Sequence, residues 1–208
     1  TDPDADRLGV YCKDTKSGEY VSFTGNMSAM LIAEYMLAEK TKMGTMPANP
    51  VFVESIVSTA MGAAIAKAYG VEYVETLTGF KYIGEQIRLM EEAGDKNYVF
   101  GMEESYGCLP GTYARDKDAP AAVVMLCEVA AYYKSKNMTL WDGMIEMYEK
   151  YGYYKEDIET LTLKGIEGLE QIQKIMNHLK SNTPTEIAGY RVLWAKNYEN
   201  DTITNMIN

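Results

Sequence analysis

Val51-Phe52-Val53, then Thr59 to Tyr69 closed by Gly70, then Val71 to Leu77: a short apolar run, an Ala-rich helical stretch and a second apolar run succeed one another within one short segment. The runs are too short for helices and rich in β-branched residues, so they read as strands, while the Ala-rich stretch ends at a glycine able to close a helix. The cycle continues with a helix over Tyr82 to Ala93 closed by Gly94, a third strand at Asn97-Tyr98-Val99-Phe100 and a long helix over Ala119 to Lys136. Buried strands alternating with helices predict an α/β fold, a mainly parallel sheet covered on both faces in three αβα layers. Sheets of this kind bind ligands at the carboxyl ends of their strands, which directs attention to the loops after Leu77 and Phe100.

Working outward, Arg7 to Lys13 and Glu19 to Phe23 read as two strands about the turn Thr15-Lys16-Ser17-Gly18. A helix follows from Gly25 to about Lys40, with Met30, Leu31, Ala33, Tyr35, Met36 and Leu37 on a broad apolar face. Downstream, a helix is expected over Leu140 to Tyr151 and strand-like runs at Gly152-Tyr153-Tyr154 and Ile158 to Leu163. A helix over Gly165 to Leu179, a last strand over Ile187 to Ala195 and a trailing polar end complete the chain.

With 208 residues, 47% of them apolar, the chain has room for one full domain and pieces of others. A formal charge of −10 argues against a general nucleic-acid or anionic-membrane surface, so any phosphate site must be built locally. Cys12, Cys108 and Cys127 lack the C-x-x-C spacing of zinc or redox pairs and are expected as buried free thiols in a reducing compartment. No stretch reads as a membrane span or a signal peptide, and the expected location is cytoplasmic.

Four segments carry chemistry. In Thr1-Asp2-Pro3-Asp4-Ala5-Asp6-Arg7, three carboxylates spaced two apart can turn inward from one loop, and a hard cation such as Mg²⁺ relieves their repulsion. The rival reading is a solvated acidic terminus; an EF-hand is excluded, because Arg7 and Lys13 stand where that loop needs Gly and Glu. Thr78-Gly79-Phe80-Lys81 offers a hydroxyl and a close backbone approach, or is a plain turn. Gly101-Met102-Glu103-Glu104-Ser105-Tyr106-Gly107 sets two carboxylates and a hydroxyl at a strand end, suited to vicinal sugar hydroxyls, unless it is an acidic turn. Arg115 and Lys117 precede a helix N-terminus and could receive an anion, or simply pair with Asp116 and Asp118. His178, the single histidine, reads as a helix-end residue.

The order Asp-Pro-Asp-Ala-Asp-Arg, Thr-Gly-Phe-Lys, Glu-Glu-Ser and Arg-Asp-Lys-Asp resembles the alpha-D-phosphohexomutases, the phosphoglucomutase and phosphomannomutase family. The resemblance implies Mg²⁺ on Asp2, Asp4 and Asp6, catalytic Arg7 and Lys117, and substrate contacts from Thr78, Gly79, Glu103, Ser105, Arg115 and Lys117. It implies an enzyme that interconverts hexose 1-phosphate and hexose 6-phosphate, glucose before mannose, through a phosphoserine and glucose 1,6-bisphosphate. The phosphoserine segment and the remote phosphate-binding loop of that family are not among these residues. The implied layout is therefore the end of domain II with its metal loop (1–23), a complete sugar-binding domain III (24–138), and a linker with the start of domain IV (139–208). Domains I and IV would be its partners, and the chain alone is expected to be inactive. Ala119 stands where that family commonly has Gly. Two alternatives remain at this point: a haloacid-dehalogenase-type phosphatase, and a non-catalytic sugar-phosphate or metal-binding module.

Overall fold

The computed structural model describes residues 1–156, 162–200 and 202–207. The chain divides into two compact units, Thr1–Asp157 and Ile158–Asn208.

The first unit opens with an antiparallel hairpin, β1 (Val10–Lys13) and β2 (Tyr20–Phe23). Helix α1 (Gly25–Met43) follows, its N-cap Thr24 accepting from the Met27 amide at 3.2 Å. Then come β3 (Pro50–Ser55), α2 (Met61–Ala68), β4 (Glu72–Thr76), α3 (Phe80–Ala93), β5 (Asn97–Glu103), β6 (Gly107–Leu109), α4 (Ala119–Ser135) and α5 (Leu140–Tyr151). The sheet order is β4-β3-β5-β6; β3 runs parallel to both neighbours, and β6 returns antiparallel along β5. The chain leaves β3 in one direction to reach β4 and crosses back over it to reach β5. Right-handed crossovers in opposite directions place α2 and α3 on opposite faces.

The burial pattern follows. Phe52, Phe100 and Met102 face one core layer, where they meet α1, α2, α4 and α5 through Met30, Leu31, Leu37, Ile65, Val129 and Met144. Val51, Val53 and Tyr98 face the other, packed on Phe80, Ile83, Ile87 and Met90 of α3. Five of the six residues of β3 are buried, as a central parallel strand requires.

Several expectations change. Strand β5 runs on to Glu103 and pairs with β6, so Glu103 ends a strand, and the reversal is confined to residues 104–106. Helix α5 belongs to the core: Met144 and Met147 are buried in it and Trp141 packs at 6.1 Å from the Phe23 ring, so the unit extends past the expected boundary at 138. The run Gly152-Tyr153-Tyr154 is irregular; of Ile158 to Leu163, residues 158–161 lie outside the described residues. Of the thiols, Cys108 is buried, Cys12 half-buried and Cys127 exposed.

In the second unit, α6 (Gly165–Ser181) carries Ile166, Leu169 and Met176 exposed. The single expected last strand is replaced by two hairpins, β7 (Glu186–Ile187) with β8 (Tyr190–Arg191) and β9 (Trp194–Asn197) with β10 (Thr202–Asn205). His178 is exposed in the last turn of α6, its Nδ1 3.4 Å from Asn182 Nδ2. No helix among the described residues is long and apolar enough to cross a membrane.

Glu54 is the unexpected member of β3. Its side chain is buried against α2, Oε1 accepts from the Tyr73 hydroxyl at 2.7 Å, and Oε2 has no hydrogen-bond partner among the described residues. Burial pushes its pKa from near 4.5 to about 8; the Tyr73 bond works against that rise, and the charges of Glu75 and Glu156 add to it. The folded value lies above the unfolded one, so the folded chain holds the extra proton across that window, and stability is lost as pH rises through it. Urea unfolding is expected to show a fall of roughly 2–4 kcal/mol between about pH 5 and pH 8, and Glu54→Gln, neutral throughout, should abolish that slope.

Candidate active site

Three segments meet at the carboxyl ends of β4 and β5. The N-terminal loop is drawn into a tight turn: the Ala5 amide donates to the Asp2 carbonyl at 3.2 Å, the Arg7 amide donates to Asp2 Oδ1 at 3.1 Å, and Ala5 takes a left-handed φ of 56°. One oxygen from each of Asp2, Asp4 and Asp6 then lies within 4.8 Å of the others. Asp6 Oδ1 is buried without a hydrogen-bond partner among the described residues, with Arg7 Nε 3.7 Å away. An all-oxygen, anionic donor set with an unsatisfied buried carboxylate oxygen fits a hard divalent cation.

The loop is docked by backbone bonds. The Leu8 amide donates to the Tyr106 carbonyl at 3.0 Å, and the Ala119 amide, at the start of α4, donates to the Ala5 carbonyl at 3.1 Å. Asp118 caps α4 by accepting from the Ala121 amide at 3.0 Å, and its own amide donates to the Cys108 carbonyl of β6 at 3.0 Å. Lys117, one residue earlier, is thereby aimed into the cluster. Its side chain crosses the Phe80 ring and lies over Gly107, where a Cβ would fall 1.9 Å from Lys117 Cδ.

Lys117 Nζ stands 3.1 Å from Asp6 Oδ2, 3.0 Å from Asp116 Oδ1 and 3.9 Å from Glu103 Oε2. Partial burial opposes its charge, yet hydrogen bonds to Asp116 and Asp6 outweigh that and raise its pKa. Glu103 is 4% exposed and accepts from the Gly79 amide at 2.7 Å. Burial raises its pKa, against the opposing pull of that amide and of Lys117.

Of the residues singled out in the sequence, Asp2, Asp4, Asp6, Arg7, Gly79, Glu103 and Lys117 therefore come together, with exposed Thr78 and half-buried Ser105 beside them. Gly79, at φ 121°, turns its amide onto Glu103, so that donor is committed to the protein. Arg115 is not brought into this group. Its guanidinium pairs with Glu91 near the far end of α3 and donates to the Thr112 and Ala114 carbonyls, which turns it away from the cluster.

Asp116, the ion-pair partner the sequence offered for Lys117, ties down its ammonium. One contributor escaped the sequence reading: Gly25, in the first turn of α1, lets that helix lie against the reversal. A Cβ at Gly25 would meet the Glu104 carbonyl at 2.2 Å and the Tyr106 amide at 2.5 Å. A glycine opening a helix was the available signal, because it weakens a helix unless something must approach closely. Gly25→Ala is expected to cost about 2–4 kcal/mol in urea unfolding, with Gly9→Ala, which meets nothing within 4 Å, as a nearly neutral control.

Comparison with known proteins bears on this geometry. A family model described as phosphoglucomutase/phosphomannomutase, alpha/beta/alpha domain III, matches residues 24–151, the segment from α1 through α5. A phosphoglucomutase of Staphylococcus aureus (strain MRSA252) is 36% identical over 95% of this chain and 35% of its own. The Paramecium phosphoglucomutase pp63/parafusin superposes with a TM-score of 0.60 at 21% identity, over 98% of this chain and 34% of its own. Aspergillus fumigatus N-acetylphosphoglucosamine mutase, solved with GlcNAc-6P and magnesium, superposes with a TM-score of 0.52 at 15% identity, over 74% of this chain and 32% of its own. The chain thus spans about a third of the length of these relatives.

Proposed function

This chain belongs to the phosphoglucomutase/phosphomannomutase family, and on that premise we propose that it forms the central, sugar-binding part of a longer phosphohexomutase that interconverts hexose 1-phosphate and hexose 6-phosphate. Glucose is favoured over mannose, in keeping with the phosphoglucomutase relatives. Membership of this family sets aside a haloacid-dehalogenase-type phosphatase. The observation that carries the proposal is the Lys117 ammonium, which lies between Asp6 of the acidic loop and Glu103 at the strand end. Ion-binding carboxylates and a sugar-binding carboxylate then belong to one cleft.

In this reading Asp2, Asp4 and Asp6 hold Mg²⁺, as the donor set and the unsatisfied Asp6 oxygen support, and the ion would offset charge on a phosphoryl group. Magnesium in the Aspergillus mutase is in keeping with this. Arg7 adds positive charge on the outer side of Asp6. Lys117, its pKa raised by its carboxylate neighbours, acts first as a fixed positive charge and holds a proton within reach of Asp6. Glu103 and Ser105 bind ring hydroxyls, with Thr78 at the rim. Gly79 fixes the Glu103 carboxyl so that Oε2 is left for the cleft. The phosphoserine donor, the clamp on the remote phosphate and a glucose 1,6-bisphosphate intermediate are assigned to the rest of the longer enzyme, domains I and IV.

Two outcomes test the proposal. In the longer enzyme, Glu103→Gln should lower kcat/KM for glucose 1-phosphate by roughly 10–100-fold with little change in unfolding stability; unchanged kinetics would leave Glu103 a structural residue. The 208-residue chain alone should form no glucose 6-phosphate when given glucose 1-phosphate, Mg²⁺ and glucose 1,6-bisphosphate. Turnover by the chain that vanishes in Asp4→Asn would overturn the division of labour.

A further inference from the structure

The reversal at residues 104–106 carries a carboxylate and two hydroxyls beyond Glu103, on Glu104, Ser105 and Tyr106, and their side chains differ in what they do. Glu104 is turned back into the domain. Its Oε2 accepts from the hydroxyl of Ser55, the last residue of β3, at 2.8 Å. Ser55 is buried, and its Oγ also lies 2.8 Å from Ser58 Oγ. A serine has one proton to give; with that of Ser55 committed to Glu104, the Ser58 hydroxyl donates to Ser55. The carboxylate thus ends a short chain of hydroxyls that begins in the loop between β3 and α2.

The backbone around Glu104 is held as well. The Tyr106 carbonyl accepts from the Leu8 amide, Tyr106 itself sits at a left-handed φ of 70°, and α1 presses on the Glu104 carbonyl through Gly25. A non-glycine residue keeps such a conformation only where its surroundings over-determine it. With its backbone fixed by α1 and its side chain by β3, Glu104 has little freedom left, and Glu103 and Ser105 on either side inherit that fixity.

We infer that Glu104 is a positioning residue, anchored by Ser55, that sets the presentation of Glu103 and Ser105 and does not itself contact the sugar. This rests on the sugar-site reading above. The experiment compares Ser55→Ala, Glu104→Ala, their double variant and Ser55→Thr in the longer enzyme, by steady-state kinetics and by amide exchange of residues 103–107. Each single alanine variant should raise KM for the hexose phosphate about tenfold with kcat little changed, and the double variant should be no worse than either, because both remove one bond. Ser55→Thr, which returns a hydroxyl, should recover most of the loss, and exchange of the reversal should quicken in the alanine variants. A silent Ser55→Ala beside an impaired Glu104→Ala would overturn the inference and make Glu104 a sugar ligand, and so would losses that multiply in the double variant. Faster exchange with no change in KM would overturn the positioning role. If Glu103→Gln were silent too, the failure would lie in the sugar-site reading, since the exchange data would have verified the anchor.

Discussion

A lysine ammonium surrounded by carboxylates from three segments is the constraint on which this site depends. Asp6 arrives from the chain's first loop, Glu103 from the end of a central strand, and Asp116 from the segment that leads into α4. With Lys117 mostly withdrawn from water, these acids would repel one another in its absence, and the ammonium without them would carry an uncompensated charge. The fold supplies the means to bring them together. Right-handed crossovers in opposite directions open a crevice at the ends of the strands, the Asp118 cap fixes the turn before α4, and Gly107 leaves room for the lysine stem.

Most of the architecture was legible because its signals are local. The runs around Val51 and Val71 and the helices closed by Gly70 and Gly94 specify a parallel sheet through length and punctuation alone. What escaped is too short to signal itself or depends on partners distant in sequence. Strand β6 is three residues long and exists because β5, just before it, offers an edge beside it. The place of α5 depends on distant partners. Met144 and Met147 reveal their place only when the α1 face they cover is known.

The site divides similarly. Residue types and spacing left Asp2, Asp4, Asp6, Glu103 and Lys117 with bland alternatives, and the resemblance to the phosphohexomutases singled them out. Arg115 shows the limit: adjacency to Lys117 suggested a shared task, yet two residues along an irregular loop are enough to point side chains in different directions. Ser55 and Gly25 carry no motif, and their importance lies in what they touch. Glu54 could not have been foreseen either, since a glutamate on a strand ordinarily marks a solvated face, and here the strand is covered on both sides.

During synthesis the packing of α5 sets a timetable. Helix α1 leaves the ribosome with Met30, Leu31 and Leu37 uncovered, and the residues that seal that face, Met144 and Met147, are made roughly a hundred residues later. At ordinary elongation rates that is an interval of ~5–20 s. Until then β5 and α4 cover only part of the methionine-rich face of α1, and the remainder is a surface suited to general chaperones. The hairpin before α1 gains the Phe23 contact with Trp141 only once α5 is made, whereas the acidic loop finds its backbone partners, Tyr106 and Ala119, earlier.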